Sequence, residues 1–344
     1  MKSALQGIFG LFLAVALLYW VFHDKDPQAL TAALMRASWP ALALAGLLNL
    51  AHNGFRVLRW GWLLEPVRAR VPFSPMFSAV IIGYMTTLIV PGRVGEVVRP
   101  ALLSAREDLP LAPCLGTVVA DRLLDGVAIV ALFAVGSLNA HFVAGSLALA
   151  GQIRVTAAIA LLVMISGLAV LVAISTVGSR LDGWLSRLWA PLRWAGRVAL
   201  GLSRGVEALR SPRRLVPIVL YSLILWLVIA LGTWVGIRAA GAAVSFSDTL
   251  VMLPLLALGV SLPTPGGVGG YHALMQVGLV SLFGVDPTVA AGAGILMHLA
   301  IVVPVLVLGP VLLYVDGVSW HDVVAAAKQV KALGRADGPL EAAR

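Results

Sequence analysis

Val90-Pro91-Gly92-Arg93-Val94-Gly95-Glu96 interrupts an otherwise apolar run over 74–105. Proline removes a helical hydrogen bond and clashes with the preceding turn, so this stretch ends one short helix and begins another. A second apolar run, 248–283, is broken in the same way by Pro263-Thr264-Pro265-Gly266-Gly267-Val268-Gly269-Gly270. Pro-Gly-Arg-Val-Gly-Glu at 91–96 and Pro-Gly-Gly-Val-Gly-Gly at 265–270 share a pattern. Each follows an apolar helix of similar length opened by a serine, Ser74 or Ser247. Non-helical backbone at membrane depth survives only where it lines protein or water. The paired breaks therefore predict two re-entrant helical hairpins related as an internal repeat, with turns at Pro91, Gly92 and Gly95 and at Pro265, Gly266, Gly267 and Gly269.

The rest of the chain says what solvent these hairpins meet. Of 344 residues, 60% are hydrophobic and 12% are charged, where soluble domains carry about 25% charged residues. Mean hydropathy is +0.96. A soluble fold cannot hide that much apolar surface, which excludes a cytosolic enzyme, a nucleic-acid binder and a disordered scaffold. The one cysteine, Cys114, excludes an internal disulfide and a Cys-rich metal site. Six further stretches, approximately 4–22, 40–58, 114–138, 153–177, 214–237 and 288–315, are long enough to cross roughly 30 Å of hydrocarbon. The first lacks a small-x-small cleavage site and ends in the interfacial pair Tyr19-Trp20, so it reads as a span and not as a signal peptide. The predicted fold is an all-α polytopic membrane protein. It has about six full transmembrane helices plus the two hairpins in one domain over 1–320, and a cytoplasmic tail over 321–344.

Charge sets the expected orientation. Net charge is +9, and the stretch from Arg180 to Arg214 holds eight arginines against Asp182 and Glu207. Basic loops stay in the cytoplasm and are drawn to anionic headgroups, so the 178–213 loop is expected inside, against anionic inner-leaflet lipids. Counting spans from there leaves both termini inside, along with Arg59, Arg68, Arg70, Lys328 and Lys331. Segment 74–105 then enters from the cytoplasm and segment 248–283 from the opposite face, as in inverted-repeat transporters. Trp184, Leu188 and Trp189, set among arginines, suggest an amphipathic helix on the inner leaflet.

Several ionisable residues fall inside these spans, where they pair or face a wet cavity. Arg93, Glu96 and Arg99 stand at i, i+3 and i+6 on the returning helix of the first hairpin. They read either as a self-neutralising ladder or as a lipid-headgroup or phosphate site, helped by the N–H groups of the Gly92–Gly95 turn. Asp121 and Asp125 share one helix face, with Arg122 in reach of Asp125. They form either an isolated salt bridge or the far wall of a cavity opposite the hairpin. Asn49, His52, Asn53 and Arg56 make a polar stripe that turns one side of its helix toward the bundle interior, while Arg59 is expected to snorkel to the interface. His272 reads as a proton carrier or as a hydrogen-bonded core histidine, and His298 as structural. No Walker A sequence, nucleophile elbow or zincin motif occurs, and no cofactor or metal is implied.

At these residues the sequence resembles the transmembrane flippase domain of bacterial lysylphosphatidylglycerol synthases. That group also has archaeal members linked to dolichol-type glycosylation and a hopanoid-associated member. The resemblance covers about 1–320 and rests on three landmarks, 91–99, 116–125 and 262–269. They read Pro-Gly-Arg-Val-Gly-Glu-Val-Val-Arg, Gly-Thr-Val-Val-Ala-Asp-Arg-Leu-Leu-Asp and Leu-Pro-Thr-Pro-Gly-Gly-Val-Gly. The family often has Glu where this chain has Asp121, and commonly an acidic residue after the third motif's glycines, where Gly270-Tyr271-His272 stands here. The residues beyond 320 are too few for the soluble aminoacyl-transferase domain, so the resemblance implies a lipid-moving module without lysyl transfer.

Three functions are compatible with these readings. The first is a flippase or transporter for an anionic phospholipid or polyprenyl-phosphate-linked lipid, set in a bacterial-type inner membrane. The second is an integral-membrane transferase using Glu96, Asp121 or Asp125 as base or metal ligand, and the third is a non-transporting subunit of an envelope-lipid pathway. The candidate cluster of Arg56, Arg93, Arg99 and Arg122 against Glu96, Asp121 and Asp125 carries a net charge of +1, which favours an anion over a divalent metal. A membrane lipid is the expected ligand, nucleic acid is excluded, and a homodimer is compatible with the sequence.

Overall fold

The computed structural model describes residues 2–90, 93–143, 147–185 and 205–333. Among them are twelve α-helices and no strand. In order they are α1 (Lys2–Phe22), α2 (Pro27–Met35), α3 (Trp39–Leu64), α4 (Phe73–Ile89), α5 (Gly95–Glu107) and α6 (Leu111–Asn139). Then come α7 (Leu147–Leu185), α8 (Pro212–Ala239), α9 (Phe246–Ser261), α10 (Gly270–Val277), α11 (Pro287–Val315) and α12 (Trp320–Leu333). Helices α8 and α11 are long and apolar enough to cross a membrane, and α1 with α2 makes a third apolar stretch bent by 90°. Phe12, Val216 and Val307 stand exposed on α1, α8 and α11, a surface that suits hydrocarbon and not water.

Both sequence breaks fold into helical hairpins, α4 against α5 and α9 against α10. Glycine allows the close approach in each. A Cβ on Gly83 would sit 2.9 Å from the Gly95 carbonyl oxygen, and one on Gly259 would sit 2.8 Å from the Gly270 carbonyl oxygen. Any side chain there would push the helices apart. In the second turn Gly266, Gly267 and Gly269 all adopt positive φ, and Arg93 does the same beside the first. The two tips touch, since a Cβ on Gly266 would meet the Leu88 carbonyl oxygen of α4 at 3.3 Å. Helix α1 packs over the second hairpin and α12 over the first.

The structure departs from the expected layout in several places: Arg93 precedes α5 with positive φ and so is not on the returning helix, and α7 runs on to Leu185, into the segment expected as a loop. The connector 23–39 contains α2, started by Asp26, whose carboxylate accepts the Gln28 N–H at 3.0 Å, with Pro27 in the first turn. Neither expected serine opens its helix: α4 begins at Phe73 with Pro72 as its N-cap and not at Ser74, and α9 is capped by Ser245 and not Ser247, because Ser245 and Asp248 form a reciprocal capping box. The tail begins with α12, where Ser319 and Asp322 cap the N-terminus and Val323 and Ala326 are buried against α5. Pro91, Gly92, Leu188, Trp189 and residues 186–204 of the arginine-rich loop lie outside the described residues.

Candidate functional site

Helices α3, α5, α6 and α8 bring a charged cluster together inside the bundle. Asp121 and Asp125 are one turn apart on α6, and Arg56 and Arg59 are nearly one turn apart on α3. The matched spacing lets two guanidinium groups meet two carboxylates. Arg56 donates to Asp125 at 2.7 Å and to Asp121 at 3.2 Å, and Arg59 reaches Asp125 at 2.7 Å and Asp121 as well. From α5, Arg99 adds a third contact to Asp121 at 3.0 Å. From α8, the Trp226 indole N–H donates to Asp125 at 3.0 Å and the Ser222 hydroxyl accepts from Arg59 at 3.0 Å. Paired charges and donors of this kind are what make buried ions tolerable.

A second, more open row of charges leads outward from this core. Arg122 lies 3.3 Å from Asp125 and 3.7 Å from Glu96, and Glu96 lies 3.6 Å from Arg93. Side-chain exposure rises from 3% at Arg99 to 33% at Arg122 and 43% at Arg93. The first hairpin and α6 therefore face each other across a shared polar space. The Glu96–Arg99 rung of the expected ladder is replaced, because Arg99 turns to Asp121 and stacks 4.3 Å over the Trp60 ring. Five arginines (Arg56, Arg59, Arg93, Arg99, Arg122) now oppose three carboxylates, a net charge of +2.

Hydrogen-bonding capacity is left over at the junction of the two rows. Arg99 is buried, yet among the described residues its Nε and Nη1 make no hydrogen bond. The Nε of Arg122 makes none either and has only the 3.7 Å ion pair to Glu96, and the Nε atoms of Arg56 and Arg59 are likewise unbonded. Arg99 and Arg122 line a niche of about 10 Å³ together with Tyr84, Thr87, Gly95 and Glu96. Buried donors without partners cost about 1–3 kcal/mol each, so they point to a ligand that supplies acceptors. The niche is no larger than a water. A bigger anion enters only if Glu96 and Arg122, held at the long distance of 3.7 Å, separate.

Arg59 was expected at the interface and is instead fully buried between the aspartates. The signal that could have placed it is its i, i+3 spacing from Arg56, matching the i, i+4 spacing of Asp121 and Asp125. Ser222, Trp226 and Trp60 gave no comparable signal, since a serine or a tryptophan in an apolar span reads as packing or as belt. His52 lies one turn from Arg56 and makes no ion pair with the cluster among the described residues. His272 belongs to the other hairpin. Its Nδ1 takes the Gly269 N–H at 3.3 Å and its ring stacks on His298 with centroids 4.8 Å apart.

Comparison with known proteins gives consistent matches. The model of the family described as "Lysylphosphatidylglycerol synthase TM region" matches residues 7–309. A UPF0104 membrane protein of Methanothermobacter thermautotrophicus is 26% identical over 308 residues, covering 85% of this chain and 87% of that protein. A UPF0104 membrane protein of Pyrococcus horikoshii is 24% identical over 322 residues, covering 87% of this chain and 92% of that one. The protein named glycosyltransferase AglD of Haloferax volcanii is 26% identical over 333 residues, covering 85% of this chain and 51% of its own length.

Proposed function

The chain belongs to the lysylphosphatidylglycerol synthase TM region family, whose members are integral membrane proteins, and from that premise we propose that it binds and moves an anionic phospholipid or polyprenyl-phosphate-linked lipid across the bilayer. One observation carries the reading: Arg99 is buried inside a net-positive cluster, with two N–H groups that make no hydrogen bond among the described residues, beside a niche it shares with Arg122 and Glu96. Arginine's planar fork suits a phosphate, which accepts two parallel hydrogen bonds from it. The lipid phosphate takes the place of the Glu96 carboxylate against Arg122 and fills the open donors of Arg99. Glu96 acts as the competing anion that holds the rim closed when no lipid is present. Arg93, the most exposed member of the row, meets the headgroup first.

An integral-membrane transferase acting on a lipid phosphate is the alternative. Its base or metal ligands would be Glu96, Asp121 or Asp125; the aspartate oxygens are spent on Arg56, Arg59, Arg99 and Trp226, and Glu96 lies between Arg93 and Arg122. That engagement favours binding and movement over catalysis. On the same reading the protein lies in a bacterial-type plasma membrane with six full spans, both termini and the 178–213 segment in the cytoplasm, and hairpins entering from opposite faces.

The test is headgroup translocation in proteoliposomes, using a fluorescent anionic phospholipid and its zwitterionic counterpart. Arg99→Lys keeps the charge and loses the fork, and is expected to weaken anionic-lipid affinity about ten-fold, from about 1–2 kcal/mol of lost charge-assisted bonding. Glu96→Gln removes the competing carboxylate and is expected to tighten it. An ion-pair cluster that only holds the fold together would leave affinity unchanged in both variants, and that result would reject the reading.

A further inference from the structure

Helix α5 has a second face, turned away from the charged cluster. Val94, Val97 and Val98 point from it into a groove closed on the other side by Val323, Val324 and Ala327 of α12. The groove encloses about 480 Å³, within the roughly 300–1,000 Å³ of small-molecule sites. Among the described residues its walls are almost free of polar groups. Thr86 lines it too, but its hydroxyl donates to the Ile82 carbonyl at 2.8 Å and is thereby satisfied within its own helix. β-Branched valines are stiff at χ1, so the walls hold a fixed shape. Lys328 lies at the edge, exposed and with no ion-pair partner among the described residues.

We propose that this groove holds one fatty-acyl chain of an anionic phospholipid, with the Lys328 ammonium against the lipid phosphate. This is a second lipid site, separate from the Arg99 niche and independent of transport. The lining demands a ligand that brings no hydrogen-bonding groups into the groove, and a hydrocarbon chain is such a ligand. The cation at the rim, without an ion-pair partner among the described residues, suits an anion held just beyond the end of that chain, and a phospholipid carries its phosphate on the same glycerol as its acyl chains. The chain's own last residues, 334–344, are a poor occupant. They carry one large apolar residue, Leu340, against Arg335, Asp337, Glu341 and Arg344.

Photolabelling of the full chain in nanodiscs tests this. The probes are phosphatidylglycerol and phosphatidylcholine carrying the same diazirine-bearing acyl chain, with adducts mapped by peptide mass spectrometry. Adducts are expected to concentrate on the peptides carrying Val94–Val98 and Val323–Val330. Phosphatidylglycerol should exceed phosphatidylcholine about five-fold, the worth of one lysine near an anionic lipid. Lys328→Glu, an exposed change that leaves the groove walls intact, should abolish that preference. Val324→Trp should fill the groove and suppress labelling, whereas Arg99→Lys should leave it unchanged, so loss of the first site and loss of this one are told apart. Equal labelling by the two lipids would overturn the proposal. So would adducts spread evenly over the exposed faces of α8 and α11, or a peptide of the chain's own C-terminus or of a second copy cross-linked into the groove.

Discussion

In the first hairpin Gly95 lies against Gly83, Arg93 stands in the turn and the returning helix carries Glu96 and Arg99; in the second, Gly270 lies against Gly259 and the returning helix carries Tyr271, His272 and Gln276. The backbone device is the same. Small residues let two short apolar helices close on each other, and the turns meet where Gly266 approaches Leu88. The side chains differ in kind. The first hairpin delivers a buried cation to an acidic helix, while the second delivers a histidine that caps its own helix and stacks on His298. Shape and chemistry are thus set by separate residues: glycines make the hairpin, and the side chains on the returning helix decide whether it handles charge.

The contrast can be broken at several levels. If the hairpins enter from opposite faces, labelling will be all-or-none: in intact cells an impermeant thiol reagent should modify His141→Cys and miss Arg210→Cys, both at exposed positions. The reverse pattern would invert the topology. Next in size is the difference in charge. Asp121→Asn leaves Arg56, Arg59 and Arg99 short of a carboxylate, and removing one partner of a buried charge cluster costs about 3–5 kcal/mol. His272→Gln should cost only about 1 kcal/mol, the worth of an ordinary hydrogen bond. Thermal unfolding in detergent measures both, and equal losses would erase the contrast.

The shared device predicts similarity instead. Gly95→Ala and Gly270→Ala should each destabilise by about 1–3 kcal/mol, as overpacking does, and tolerance of one alone would show that the hairpins are built differently. The smallest effect concerns the covering helices. Helix α12, over the first hairpin, is capped by Asp322, whose carboxyl is held below the usual carboxylate range by the Ser319 hydroxyl and backbone N–H. A folded-state value below the unfolded one, about 3.9, means the cap stabilises above that pH and weakens as pH falls through the folded value. The protection of α12 amides from hydrogen exchange, taken relative to their intrinsic rates at each pH, should therefore fall below about pH 4, and Asp322→Asn should lose that dependence. Exchange in α1, over the second hairpin, should not change with it.

Much of this was legible in the residues. Proline and glycine density located both turns, apolar length located the long helices, and the i, i+3 and i, i+4 spacings drew Arg93, Glu96, Arg122 and Asp125 into one row. What escaped was set by rotation and partner choice. Arg99 could pair within its own helix or across to Asp121, and only packing against α6 and Trp60 decides between them. Arg59 lies near a helix end, where snorkelling is the default, and two aspartates on another helix override it. Helix α12 was hidden because a short amphipathic segment after the last span reads as tail until α5 presents a face for Val323 and Ala326.

The claim that the first hairpin binds an anionic lipid is tested most directly by mass spectrometry of lipid retained through purification. The comparison is best made in a Lys328→Glu background, so that the α12 groove contributes no phosphate contact. The expected result is anionic phospholipid retained with His272→Gln added and depleted about ten-fold with Arg99→Lys added, at unchanged unfolding temperature for the latter. Equal retention in the two proteins, or zwitterionic lipid in proportion to the membrane, would contradict the account.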